Sequence, residues 1–166
     1  MIKLENILVA TDFGEASASA LDYGRELARH FGATLHVLHV VDDVGARLAS
    51  ASGLPYNAAQ LQEQLDLADR QQLEQLVTDE DRRELRVTAL QVVSAAPAKE
   101  IVEYATANHM DLLIVGTHGR GPVAHLFMGS VAERVVRGAP CPVLTVRHPE
   151  HEFLRADALE VVSVRV

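Results

Sequence analysis

The chain of 166 residues is 48% hydrophobic and 23% charged, which is the profile of a globular protein and excludes a disordered, collagenous or coiled-coil chain. A net charge of −8 repels phosphate backbones, and the adjacent basic pair Arg82-Arg83 sits among Asp79, Glu80, Asp81 and Glu84, which argues against a nucleic-acid surface. The single cysteine, Cys141, admits no internal disulfide, Met1 to Asn6 hold no apolar leader, and no apolar run approaches the roughly 18 residues of a membrane span. The expectation is a cytoplasmic protein that binds neither membrane nor nucleic acid.

Short β-branched runs alternate with helical segments. In Asn6-Ile7-Leu8-Val9-Ala10 every residue after Asn6 is apolar, as in a strand buried on both faces. From Glu15 to Phe31, the apolar positions Ala20, Leu21, Gly24, Leu27, Ala28 and Phe31 follow helical spacing, and Gly32 supplies the stop. Residues 34–41 form a second strand. Gly45, Ser50, Ser52, Gly53 and Pro55 predict a mobile loop over residues 42–57. Leu61, Leu65, Ala68, Leu73 and Leu76 then mark a second helix, and the acidic run at 79–84 predicts a solvated turn into the next strand.

Residues 85–93 form the third strand, and Pro97 suits the first turn of a third helix reaching about Asn108. Asp111 introduces the fourth strand, Leu112-Leu113-Ile114-Val115. A glycine-rich loop follows, then a short helix from Ser130 to Arg137 stopped by Gly138. Residues 141–147 form the fifth strand, whose prolines Pro140 and Pro142 place it at a sheet edge or make its start irregular. Five strands alternating with four helices predict an α/β fold with an open parallel sheet and right-handed crossovers. The pattern fits one domain over residues 1–148 and a C-terminal extension over 149–166.

In such a sheet the ligand crevice lies beyond the carboxyl ends of the strands. The first strand ends in Ala10-Thr11-Asp12-Phe13-Gly14 and the fourth in Gly116-Thr117-His118-Gly119-Arg120-Gly121. Five of the ten glycines fall between residues 116 and 138, a clustering that suits phosphate binding. Gly116 and Gly119 remove side chains where a backbone must approach a bulky anion. Gly129-Ser130 stands where a helix starts, so amides and helix dipole favour negative charge there. The Ser130 hydroxyl is expected to cap its own helix or donate to a phosphate. Asp12, across the crevice, suits ribose hydroxyls or a magnesium-bound water.

Gly116-x2-Gly119-x9-Gly129-Ser130 matches G-x2-G-x9-G-[S/T], the ATP-binding signature of the universal stress protein family. The chain resembles that family over nearly its whole length, from Asn6-Ile7-Leu8-Val9-Ala10-Thr11-Asp12 through His39-Val40-Val41-Asp42 and Asp111-Leu112-Leu113-Ile114-Val115-Gly116 to Cys141-Pro142-Val143-Leu144-Thr145-Val146. The resemblance implies a Rossmann-like sheet ordered 3-2-1-4-5 with helices on both faces, and ATP with Mg2+ as cofactor. It implies that Val40 contacts adenine through its backbone and that Asp12 holds the ribose, with Ala10 lining the pocket beside it. It sets Gly116, His118, Gly119, Gly129, Ser130 and Val131 around the phosphates. The position of Ala10 is often proline in binding members.

The resemblance also implies a homodimer joined through its last strands, and the valine-rich residues 158–166 are expected to add a strand there or cover the edge. The function implied is a nucleotide-dependent regulator in the stress response, acting on a protein partner, and not an enzyme. A slow ATPase, with His118 or Asp12 positioning water, and a nucleotide-independent interaction module are the alternatives. His118 is read first as a loop-positioning side chain. His36 and His39, three apart on a strand, point to opposite faces and cannot share a metal. No Gly-Lys-Ser/Thr and no Gly-x-Ser-x-Gly occurs, which excludes a Walker loop and a hydrolase elbow. Cys141 reads as a buried structural thiol.

Overall fold

The computed structural model describes residues 2–49, 58–117 and 129–148. Strand β1 (Asn6–Thr11) leads into helix α1 (Glu15–Phe31), which ends where Gly32 takes φ 65 and donates its N–H to the Ala28 carbonyl. That left-handed cap costs a glycine nothing, which is why the helix stops there. Strand β2 (Thr34–Val41) is followed by helices α2 (Val44–Ala49), α3 (Ala58–Leu76) and α4 (Asp79–Glu84), then by strand β3 (Arg86–Val93). Helix α5 (Pro97–Ala107), strand β4 (Leu112–Gly116), helix α6 (Ser130–Gly138) and strand β5 (Val143–Val146) complete the described order.

All strand pairs are parallel, in the order β3-β2-β1-β4-β5. Alternate residues of each strand face opposite layers, so one β1 strand feeds two cores. Ile7 and Val9 pack with Ala20, Leu21 and Ala28 of α1 and with Leu73 of α3. Leu8 packs instead with Ala98 and Ile101 of α5 and Ala132 and Val135 of α6. The crossovers leave to opposite sides of the sheet between β1 and β4. This switch point opens a crevice above those two strands.

Several elements differ from their sequence reading. The predicted mobile loop at 42–57 contains α2 over Val44–Ala49, where Gln62 Oε1 accepts from the Val44 N–H at 2.9 Å; its residues 50–57 lie outside the described residues. The predicted solvated turn at 79–84 is the helix α4, and Asp81 within it is 2% exposed. Thr78 and Asp81 form a reciprocal capping box, and Arg25 donates to both Asp81 oxygens at 2.9–3.1 Å. Six described helices therefore replace the predicted four. The fifth strand is shorter than residues 141–147, because Pro140 and Pro142 supply no donors. Pro142 still accepts from the Leu113 N–H, which seats β5 against β4. Gly138 closes α6 from inside, and Ala139 is its extended cap. The proposed extension at 149–166 lies outside the described residues.

Candidate functional site

At the carboxyl end of β1 the chain turns sharply. Phe13 takes φ 62, an outlier for a bulky side chain that costs about 1–3 kcal/mol and needs support from its surroundings. Its N–H donates to Thr11 Oγ1 at 3.0 Å, and the next amide, of Gly14, donates to Asp12 Oδ1 at 3.0 Å. Ser17 gives its one proton to the Gly14 carbonyl at 2.9 Å, so at the 3.2 Å Thr11–Ser17 contact the threonine is the donor. The turn is thus cross-linked at four polar groups before α1 begins. Asp12 is half-buried at its apex.

Gly116 lies beside this turn, since Ala10 pairs with Val115 in the register of β1 on β4. A Cβ on Gly116 would sit 2.8 Å from the Ala16 carbonyl carbon and 2.9 Å from the Ser17 nitrogen. Its missing side chain is therefore required by the first turn of α1 packing on β4. Close backbone packing thus requires this glycine whether or not an anion lies beside it.

Thr117 continues β4 by donating to the Val146 carbonyl at 2.7 Å, and its own carbonyl accepts from Gly129 at 2.6 Å. That bond fixes the start of α6. Gly129 is the N-cap and has no side chain, and of the two roles expected of the Ser130 hydroxyl the capping bond is not found among the described residues. Glu133 is the first α6 amide to find a helix carbonyl, that of Gly129. The N–H groups of Ser130, Val131 and Ala132 consequently have no acceptor among the described residues. Three amides and the positive end of the helix dipole face the crevice end of the sheet.

On the other flank, β1 pairs with β2 only as far as Thr11 on His39, whereas β2 continues to Val41 on Val93 of β3. Val41 uses its carbonyl toward β3, where Ser94 donates to it, and Thr34 donates toward β1. Parallel strands alternate side by side, so Val40 shares the parity of Thr34 and turns its carbonyl toward β1. Phe13 has left the sheet at that level, and the Val40 carbonyl looks into the crevice. His118 and Gly119 lie outside the described residues. The structure thus gathers Ala10, Asp12, Val40, Gly116, Gly129, Ser130 and Val131 at one end of the sheet.

Sequence reasoning missed four participants, Thr11, Phe13, Thr117 and Asp69. The Asp12-x-Gly14 spacing carries a turn signal that brings in the first two, since aspartate accepts readily from the amide two residues on. Asp69 carries no such signal. It reaches His39 Nε2 at 3.1 Å from α3, while His39 Nδ1 lies 2.8 Å from the Thr11 carbonyl. His36 faces the other layer and bonds Tyr104 at 2.8 Å, as the strand parity predicts. Burial holds the His36 imidazole below its ordinary range. Burial also raises the half-buried Cys141 thiol, helped by Asp111, which suits an inert thiol.

A groove of about 300 Å³ lies at the opposite end of the strands, between Lys3, Glu5, Phe31 and Arg86. Its cations are engaged, Arg86 by the Gly32 carbonyl and Lys3 by Glu5. No metal-binding cluster occurs among the described residues, and no described helix is long and apolar enough to cross a membrane.

An open parallel sheet with a glycine-capped anion end at its switch point defines a class of Rossmann-like α/β proteins. The family model for the universal stress protein family matches residues 3–147, and the chain belongs to that family. A universal stress protein of Thermus aquaticus is 34% identical over 143 residues, 86% of this chain and 98% of its own. The structure of a universal stress protein from Lactobacillus plantarum superimposes with a TM-score of 0.69 at 28% identity, over 89% of this chain and 100% of the other. Two structures of the same fold, each at a TM-score of 0.60, are a universal stress protein in complex with cAMP and one from Archaeoglobus fulgidus in complex with dAMP. The first is 22% identical over 88% of this chain and 98% of its own; the second is 20% identical over 88% and 99%.

Proposed function

We propose that the chain is an ATP-binding universal stress protein, a nucleotide-dependent regulator rather than a metabolic enzyme. One observation carries the reading: the amides of Ser130, Val131 and Ala132 have no acceptor among the described residues at a side-chain-free cap, which Thr117 holds to the end of β4. Such an end favours phosphate by charge-assisted hydrogen bonds and by the helix dipole. The donor set fits an adenine nucleotide whose phosphates sit at α6. Asp12 then accepts from the ribose, Ala10 lines the pocket beside it, and the Val40 carbonyl accepts from the adenine amino group. Gly116, His118 and Gly119 complete the surround by family resemblance. Bound Mg2+ would neutralise part of the phosphate charge.

The cAMP and dAMP complexes of two fold neighbours support an adenine nucleotide as the ligand class. On this reading ATP binding changes the surface shown to a partner protein. The working form is a cytoplasmic homodimer joined at the last strands. Titration of Mg2+–ATP and, separately, of dAMP into the protein tests the reading. Micromolar binding of ATP is the expected result, and binding of neither nucleotide contradicts it.

A further inference from the structure

His39 is 6% exposed at the end of β2, directly before Val40, and every contact of its ring points at the ligand crevice or away from it to α3. Its Nδ1 faces the Thr11 carbonyl at 2.8 Å and its Nε2 faces Asp69 Oδ2 at 3.1 Å. The Phe13 ring lies on it, with centroids 4.2 Å apart. Thr11 and Phe13 flank Asp12, so this one imidazole supports both ends of the turn that carries the aspartate. Phe13 holds a backbone conformation that needs such support.

A carbonyl and an ionised carboxylate can only accept. We propose that His39 is the positioning residue of the nucleotide site, donating from Nδ1 to the Thr11 carbonyl and tying the Asp12 turn to Asp69 of α3. This rests on the reading of the crevice as a nucleotide site. A side chain that leaves the Thr11 carbonyl without a donor removes the anchor of the turn and weakens nucleotide binding.

Among the described residues the charged group facing the ring from α3 is Asp69. Asp66, one turn earlier, takes a bond from Gln62 Nε2. From β3 the register neighbour is Gln91, a neutral amide that donates to the Asp66 carbonyl. From the β1 turn come neutral Thr11 and Phe13, with Asp12 Oδ1 occupied by Gly14. Asp69 is thus the carboxylate against which the ring is held.

Two substitutions separate the two bonds. Asparagine places its amide nitrogen at the δ position, so His39→Asn keeps a donor for Thr11. Glutamine places its amide at the ε position, so His39→Gln reaches Asp69 and leaves Thr11 without a donor. Affinities for Mg2+–ATP are measured for both variants beside the wild type. His39→Gln should bind about five-fold more weakly than His39→Asn, the worth of one neutral hydrogen bond. Equal affinities for the two variants overturn the proposal.

Amide ¹H–¹⁵N spectra of the ligand-free proteins provide a second readout. The Phe13 and Gly14 amide signals should move in His39→Gln and stay near their wild-type positions in His39→Asn. Equal displacement in both variants, or none in either, overturns the proposal without any ligand. Absence of ATP binding by all three proteins, with the amides displaced in His39→Gln alone, sinks the nucleotide reading and leaves the clamp standing.

Discussion

The Gly129 N–H donates to the Thr117 carbonyl over 2.6 Å, joining the cap of α6 to the residue that follows β4. The helix start is thereby held at the end of the sheet, with its first three amides presented outward. Gly129 lies at φ −58 and ψ 147, the extended conformation that a following proline demands. Ser130→Pro therefore preserves the helix, since proline suits its first position, and removes one amide and one hydroxyl. Its Tm should stay within about 2 °C of the wild type. Its affinity for Mg2+–ATP should fall about ten-fold, the loss of one hydrogen bond to a charged group. Unchanged affinity in this variant would place the phosphates elsewhere.

Gly24 lies inside α1, where alanine is the better helix former by about 1 kcal/mol. A Cβ there would meet Val9 Cγ2 at 2.5 Å and Leu35 Cδ1 at 3.2 Å, both on side chains of the closed core. Overpacking of this kind costs about 1–3 kcal/mol, so the packing term exceeds the propensity term. Gly24→Ala should be destabilising, with a Tm lower by about 2–4 °C for each kcal/mol lost in a chain of this size. A variant more stable than the wild type would show that α1 can shift away from β1.

Asp81 and His36 set the response to acid in separate ranges. Burial pushes the Asp81 carboxyl up, but bonds from Arg25 and Thr78 outweigh it and hold the group below its ordinary 3.8. The unfolded chain takes up that proton first, so the stability Asp81 supplies is present above about pH 3.8 and disappears below it. Burial lowers His36 from 6.5, so its contribution is present above about pH 6.5 and shrinks as the pH falls through the lowered value. Denaturant unfolding as a function of pH should show both losses. His36→Asn, which can still bond Tyr104, should remove the upper one, and Asp81→Asn the lower. Asp81→Ala should cost about 3 kcal/mol at neutral pH, because Arg25 loses its buried partner and α4 half of its capping box.

The strand order and the crevice end of the sheet were legible because they rest on local signals. Apolar runs at residues 6–10 and 112–115 can only be strands covered on both faces, and Gly32 and Pro97 mark helix ends by backbone chemistry. The Arg25–Asp81 pair was not legible, since its partners lie 56 residues apart and an acidic run looks solvated until a fold brings an arginine over it. Thr78-x-x-Asp81 carries the capping-box spacing, with aspartate in place of the usual longer acid. The packing of Gly116 on Ala16 was not legible, because sequence does not show which backbone a glycine lets in. The role of His39 depends on what stands at each ring nitrogen, which spacing along a strand does not reveal.

The most direct test is calorimetric titration of Mg2+–ATP into the wild type and Gly129→Asp. Aspartate is a preferred N-cap whose carboxylate accepts from the amides that the phosphate would use. It also sets a negative charge against the ligand. The account predicts micromolar binding by the wild type, no detectable binding by Gly129→Asp, and a variant Tm no lower than that of the wild type. ATP binding of equal strength by the two proteins, or none by well-folded wild type, would contradict it.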